Sequence, residues 1–240
     1  MMQRFNIGCS SFDNSYWTGV FYPNDLDRNR RFEFYCQYFS TFEINSTFYK
    51  FPTVRTLRTW NEKAPADFTF SIKAPQEITH KRQFVNCDDE IQKFYDVCAS
   101  GMGGKLARIL FQFPPSFKYS AESLQNIVRK LNPDFQNVIE FRHQSWWNSE
   151  IYDRLNEHQI TFCSVSYPNI PDQIIASKTP YIRLHGDEKL FYSGYSSEYL
   201  QTLFGKLKHS NADEIYIYFN NTASIAGILN ALEMNLKTGY

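Results

Sequence analysis

The sequence predicts an α/β fold in which eight parallel strands close into a barrel inside an outer ring of helices, and three observations carry that expectation. Strand-like and helix-like segments alternate along 240 residues, about 30 residues per repeat, which is the size of one βα unit. Each strand-like run places apolar residues on one parity and chemically capable polar residues on the other, whereas an open sheet covered by helices on both faces should be apolar on both. Neither a G-x-G-x-x-G nor a Walker-type loop is present to support a nucleotide-binding open sheet.

Taken in order, the expected strands are Phe5–Ser11, Thr41–Thr47, Phe68–Ala74, Leu106–Phe113, Asn137–His143, Thr161–Tyr167, Pro180–Gly186 and Glu214–Asn221. Each is rich in Ile, Val, Phe or Tyr, which suit a pleated surface. Between them, helical patterning runs over Arg30–Phe39, Val54–Lys63, Asp88–Ala99, Ala121–Leu131, Ser149–His158, Ser197–Lys208 and Ser224–Leu236. Ser120 and the run Asp88-Asp89-Glu90 mark helix starts, because short polar side chains and acids satisfy the free N–H groups there. Pro168–Thr179 carries two prolines and reads as loop. No linker or low-complexity stretch divides the chain, so a single domain over residues 1–240 is expected.

Composition narrows the classes of function. With 42% hydrophobic and 18% aromatic residues the chain can bury a large core. Lys+Arg and Asp+Glu both number 25, so no net charge draws the whole protein to nucleic acid or to an anionic membrane. Five cysteines without a C-x-x-C pair argue against a disulfide framework and against a thiolate zinc site. No apolar run has the length of a signal-peptide core or a membrane span, and a reducing cytoplasm is the expected location.

The segments GCSSFDNSYWTGVFYP (8–23), FEINSTFYKFP (42–52), FTFSIKAPQEITH (68–80), LFQFPPSF (110–117), VIEFRHQSWW (138–147), YIRLHG (181–186) and YIYFNN (216–221) together resemble the motif series of the YecE-like family, also called domain of unknown function seventy-two. The resemblance implies a TIM-type (β/α)8 barrel and implies no reaction. Two positions depart from the family pattern: Ser11-Phe12 stands where Gly-Trp is usual, and Ser166 stands where strand six often offers an aspartate.

Residues two apart on a strand share a face. The polar parity therefore gathers Glu43 and Asn45, Ser71 and Lys73, Gln112, Glu140 and Arg142, Arg183 and His185, and Asn220, toward the C-terminal strand ends where barrel enzymes place their sites. Lys73, Arg142 and Arg183 outnumber Glu43 and Glu140 by one, which favours an anionic ligand. The expected chemistry is acid–base catalysis on a phosphorylated or acidic small molecule, of hydrolase, isomerase or lyase type. In it Glu140 or Glu43 is the general base and His185 the acid. Lys73, Arg142 and Arg183 bind the anion, and Asn45, Gln112 and Asn220 orient polar groups. Tyr49, Trp146 and His80 fall in loops at the same end and, with His143 at the end of strand five, join the substrate-binding set; the Trp146-Trp147 pair is expected to be partly exposed.

Each assignment has a structural counterpart. Glu140 with Arg142 also describes an internal ion pair that sets register, and the loop aromatics also describe plugs at the barrel rim. Two other readings stand beside the main one: a non-catalytic module holding an oligonucleotide or anionic metabolite, with nucleic acid the less favoured partner, and a glycoside hydrolase using the Glu43/Glu140 pair. No cofactor is expected. A divalent metal held by Glu43, Glu140, His143 and His185 is disfavoured by the nearby cations and by the opposite parity of His143.

Overall fold

A computed structural model describes residues 3–239. Its regular elements are β1 (Arg4–Cys9), α1 (Arg31–Tyr35), β2 (Thr41–Ile44), α2 (Ser46–Tyr49), α3 (Val54–Lys63), β3 (Thr69–Lys73), α4 (Asp88–Met102), β4 (Leu106–Gln112), α5 (Ala121–Lys130), β5 (Asn137–Glu140), α6 (Ser149–Glu157), β6 (Thr161–Phe162), β7 (Ser164–Ser166), β8 (Tyr181–Leu184), α7 (Ser197–Lys208), β9 (Glu214–Phe219) and α8 (Ala226–Lys237). They form two sheets, one of four strands in the order β1-β9-β8-β7 and one of five in the order β2-β3-β4-β5-β6. The strand pairs with a defined register all run parallel. Among the described residues no helix is long and apolar enough to cross a membrane.

The α/β class and the parallel strands agree with the expectation, but the strand inventory differs: among the described residues nine strands in two sheets stand where eight in one cylinder are expected. The ninth arises because the expected strand Thr161–Tyr167 is broken at Cys163. Phe162 registers with Ile139 on β5, and the Cys163 N–H closes that ladder on the Ile139 carbonyl at 2.7 Å. From Ser164 the chain takes β8 as its partner instead, Ser164 opposite Ile182. A further difference is α1, which stops at Tyr35 and continues to Phe39 as hydrogen-bonded turns. The segment RFEFYCQYF is crowded with aromatics, which lose rotamer freedom in a helix.

The chain divides into two compact units, one of residues up to Glu43, Ser164–Pro168 and Asp172 onward, the other of Ile44–Cys163 with Asn169–Pro171. In the first unit buried tyrosines, among them Tyr22, Tyr35, Tyr181, Tyr216 and Tyr218, join the aliphatic core. Tyr35 is fully buried. Its hydroxyl accepts from the Cys9 N–H at 2.8 Å and donates to the Thr41 carbonyl at 3.0 Å, satisfying two backbone groups that burial would otherwise penalise. Gly8 makes the approach possible, since a Cβ there would run into the Thr41 carbonyl and the Tyr35 hydroxyl. At the outside of this unit Asp13 binds both Arg28 and Arg31, and these hydrogen bonds, Arg28's foremost, hold its carboxyl below the usual range.

The second unit is organised by aromatic stacking. Phe141 and Trp146 stack with their planes nearly parallel and ring centroids 3.9 Å apart, Phe113 and Phe117 stack at 4.3 Å, and the Trp146 indole N–H donates to the Phe117 carbonyl at 2.8 Å. Each such ring contributes about 1.5–3 kcal/mol through burial alone. On the helical side, Ser120 caps α5 by accepting from the Ser123 N–H, as its sequence predicts.

Candidate functional site

In the second unit the parallel register aligns the C-terminal ends of three neighbouring strands. Lys73 lies opposite Leu110, and Gln112 opposite Glu140, so Lys73, Gln112 and Glu140 each terminate a strand at the same end. Glu140 is fully buried and Lys73 nearly so. β5 stops at Glu140, so Arg142 sits just past the strand rather than on it; its guanidinium turns back to bind the Glu140 carboxylate in a charge-assisted hydrogen bond.

Two short turns missing from the sequence reading complete this cluster. Thr47, in α2, donates to the Ile44 carbonyl and to the Lys73 carbonyl at 2.6 Å, which pins that turn to the end of β3. Phe48 is thereby placed under the Lys73 ammonium, 4.2 Å from ring centroid to nitrogen, a cation–π contact in a nearly buried setting. After β3, Glu77–Lys81 form a π-helical turn, with the Arg82 N–H bonded to the Glu77 carbonyl. Such turns recur at functional sites because the extra residue reorients a side chain. Here it carries His80, which meets the Phe48 ring edge-on at 4.8 Å, the Thr79 hydroxyl at 2.9 Å and the Gln112 carboxamide at 3.4 Å. Burial pushes the His80 imidazole down to about 4; Lys73 and Arg142 push the same way, and Glu140 opposes them.

A second polar cluster belongs to the first unit. Glu43, fully buried, receives the Arg183 guanidinium in a two-pronged grip, Nε to Oε2 at 2.9 Å and Nη2 to Oε1 at 2.7 Å, and the Tyr181 hydroxyl at 2.7 Å. Arg183 also donates to the Asn220 carboxamide oxygen at 2.7 Å and to His185 Nε2 at 3.4 Å. A guanidinium has only donors, so His185 accepts at Nε2 and any proton it could give sits on Nδ1. Tyr181 shares the parity of Arg183 but carries no charge in the sequence, so a balance of ionised side chains does not point to it.

The expected site residues therefore fall into two groups. Lys73, His80, Gln112, Glu140 and Arg142 are brought together in one unit; Glu43, Arg183, His185 and Asn220 are brought together in the other. Asn45 precedes α2 and is half-buried, Ser71 is buried along β3, and Tyr49 points outward at 77% exposure. His143 accepts from the Ser145 N–H at 3.1 Å and serves the turn that follows β5. Trp146 is fully enclosed in the aromatic stack instead of partly exposed, while its neighbour Trp147 is half-buried. Adjacent residues reach these different environments because the turn Gln144–Trp146 rotates the first indole inward. A groove of about 630 Å³ elsewhere on the second unit, beside Arg82, Phe84 and Arg129, contains none of the expected site residues. Among the described residues no group of three or more His, Cys, Asp or Glu side chains is placed to hold a metal ion.

Parallel strands interleaved with helices define an α/β protein, here with ionisable side chains enclosed at the C-terminal ends of its strands. The family model for "Protein of unknown function DUF72" matches residues 6–239, and the chain belongs to that family. It is similar to the UPF0759 protein YunF of Bacillus subtilis, 27% identical over 55% of this chain and 50% of that protein, and to the UPF0759 protein YecE of Escherichia coli, 27% identical over 48% and 42%. The chain thus spans about half the length of these curated relatives. Among solved structures, a DUF72 family protein from Thermotoga maritima is similar over 99% of this chain and 100% of its own, at 28% identity and a TM-score of 0.88. A DUF72 family protein from Enterococcus faecalis, 20% identical with a TM-score of 0.84 over 98% and 96%, shares the fold.

Proposed function

We propose that the protein is an enzyme that performs acid–base chemistry on a phosphorylated or acidic small molecule, of hydrolase, isomerase or lyase type. The observation that supports it is the cluster at the ends of β3, β4 and β5, where two enclosed cations, Lys73 and Arg142, accompany one carboxylate, Glu140, beside an imidazole that remains partly accessible. A formal excess of one positive charge in a poorly solvated setting favours an anion. Arg142 presents a planar fork and Lys73 a point charge, a combination suited to a phosphate or carboxylate group. In the other unit Glu43 and Arg183 bind each other at short range, which suits them to tie these two side chains together and to keep His185 oriented. The proposed fold is the closed (β/α)8 arrangement. The proposed location is cytoplasmic, in keeping with five free thiols.

The test is calorimetric titration with inorganic phosphate and sulfate, followed by a turnover screen over phosphate monoesters and small hydroxy acids. Wild-type protein should bind the anions, and Lys73→Ala or Arg142→Ala should weaken binding about tenfold or more. Glu140→Gln, which removes the carboxylate facing the His80 imidazole and gripping Arg142, should lower turnover while anion binding is retained. Wild-type affinity retained in both cation variants would refute the proposal.

A further inference from the structure

We propose that His80, acting through Nε2, is the proton acceptor of this site, taking a proton from a substrate whose anionic group is held by Lys73 and Arg142. The assignment rests on the anion-site reading above and adds the group that moves the proton.

Hydrogen bonding around the ring assigns its lone pair. The Gln112 carboxamide nitrogen donates one N–H to the Phe113 carbonyl at 2.8 Å, which fixes which end of the amide is nitrogen. Its other N–H faces His80 Nε2 at 3.4 Å. A nitrogen that receives a donor must present its lone pair, so the ring proton sits on Nδ1 and is given to the Thr79 hydroxyl at 2.9 Å. Thr79 is buried, and its own hydroxyl faces the Pro75 carbonyl at 3.5 Å. The relay Pro75–Thr79–His80–Gln112 therefore holds one tautomer with Nε2 as the basic atom. The Gln112 contact is at the long limit of hydrogen bonding, so a substrate X–H can displace it at little cost.

Accessibility separates His80 from the other bases. Glu140 is fully buried and already bound by Arg142, whereas His80 is half-buried at the end of its turn. In the transfer the X–H bond breaks, its electron pair stays with the substrate, and an N–H bond forms at Nε2. The resulting imidazolium keeps its Nδ1–H on Thr79 and lies in the field of Glu140. Charged groups facing the ring are Lys73 from β3, Glu140 from β5 and Arg142 just after it; on its own turn Glu77 and Lys81 pair with each other at 3.0 Å. With the site empty, the two cations join burial in keeping the ring neutral. An anion bound to them cancels that field, so the base strengthens when substrate is present.

The experiment is a histidine titration by nuclear magnetic resonance on full-length protein, with the His80 signal assigned through His80→Gln, carried out with and without saturating sulfate; calorimetry reports sulfate binding independently. The expected result is an Nδ1–H tautomer, titration near pH 4 without anion, and a proton affinity about tenfold or more higher with sulfate bound. Lys73→Met should raise the affinity without sulfate and blunt the sulfate effect. Sulfate that binds while the His80 titration stays put, or an Nε2–H tautomer, would overturn the role of His80 and leave the anion site standing. Sulfate that fails to bind would overturn the anion site and the role of His80 together.

Discussion

Replacing Arg183 with methionine should be among the costliest single substitutions in this chain. The guanidinium is 1% exposed and grips a carboxylate, Glu43, that is fully buried. Methionine fills much of the same volume, so the cavity cost is small and the effect is electrostatic. The Tyr181 hydroxyl at 2.7 Å and an Asn220 N–H at 3.5 Å stay with Glu43, but both are neutral donors and do not replace the guanidinium charge. Breaking such a pair from one side costs about 3–5 kcal/mol, a large part of the roughly 5–15 kcal/mol that holds a typical domain. The double variant Glu43→Gln with Arg183→Met removes both charges and should recover most of that loss, giving a coupling of about 2 kcal/mol or more in the cycle. Urea unfolding of the four proteins, compared by midpoint with slopes checked for constancy, reads these numbers. A single variant that loses less than about 1 kcal/mol, or a double variant whose loss equals the sum of the singles, would show that the pair is solvated or replaceable.

Trp146→Ala should cost about 3–5 kcal/mol, because it empties the stack on Phe141 and Phe117 and orphans the Phe117 carbonyl; a denaturation midpoint within error of wild type would contradict the enclosed position. Tyr35→Phe should cost about 1–3 kcal/mol by leaving the buried Cys9 N–H without its acceptor, read by the same assay. Stability should also fall as the pH drops from 6.5 toward 4, since over that window the unfolded chain binds a proton at His80 that the folded site refuses. The full shift corresponds to about 3 kcal/mol, and solvent screening of a half-buried ring reduces it to about 1–2 kcal/mol. His80→Leu should remove that part of the acid dependence; an unchanged slope would mean the ring is not held neutral.

Elements with strong periodicity were legible in the sequence. The helices at Val54–Lys63 and Ser197–Lys208 match their expected bounds. The burial of Glu43, Ser71, Glu140 and Arg183 follows from polar residues sharing one strand face. The break at Cys163 was not legible, because a run of β-formers carries no sign of which neighbour each residue will pair with. Arg142 and His143 were read as strand residues because the alternation of VIEFRH continues past the last ladder bond, where the Phe141–Trp146 stack takes over. The two turns that shape the polar cluster were hidden for a different reason. A four-residue turn after β2 and a five-residue turn after β3 are too short for a periodic signal, and Thr47 and Thr79 act through hydroxyl contacts whose partners include the distant Lys73 carbonyl and the Pro75 carbonyl.

The pairing of β1 with β9, Arg4 opposite Glu214 through Cys9 opposite Phe219, has a consequence for how the chain matures. During synthesis β1 emerges about two hundred residues before the strand that completes its ladder, while β3, β4 and β5 can zip together in order as each leaves the ribosome. At several residues per second, β1 waits tens of seconds as a bare, apolar edge. The nascent protein is thus exposed to premature association along the RFNIGC edge for as long as β9 is unmade.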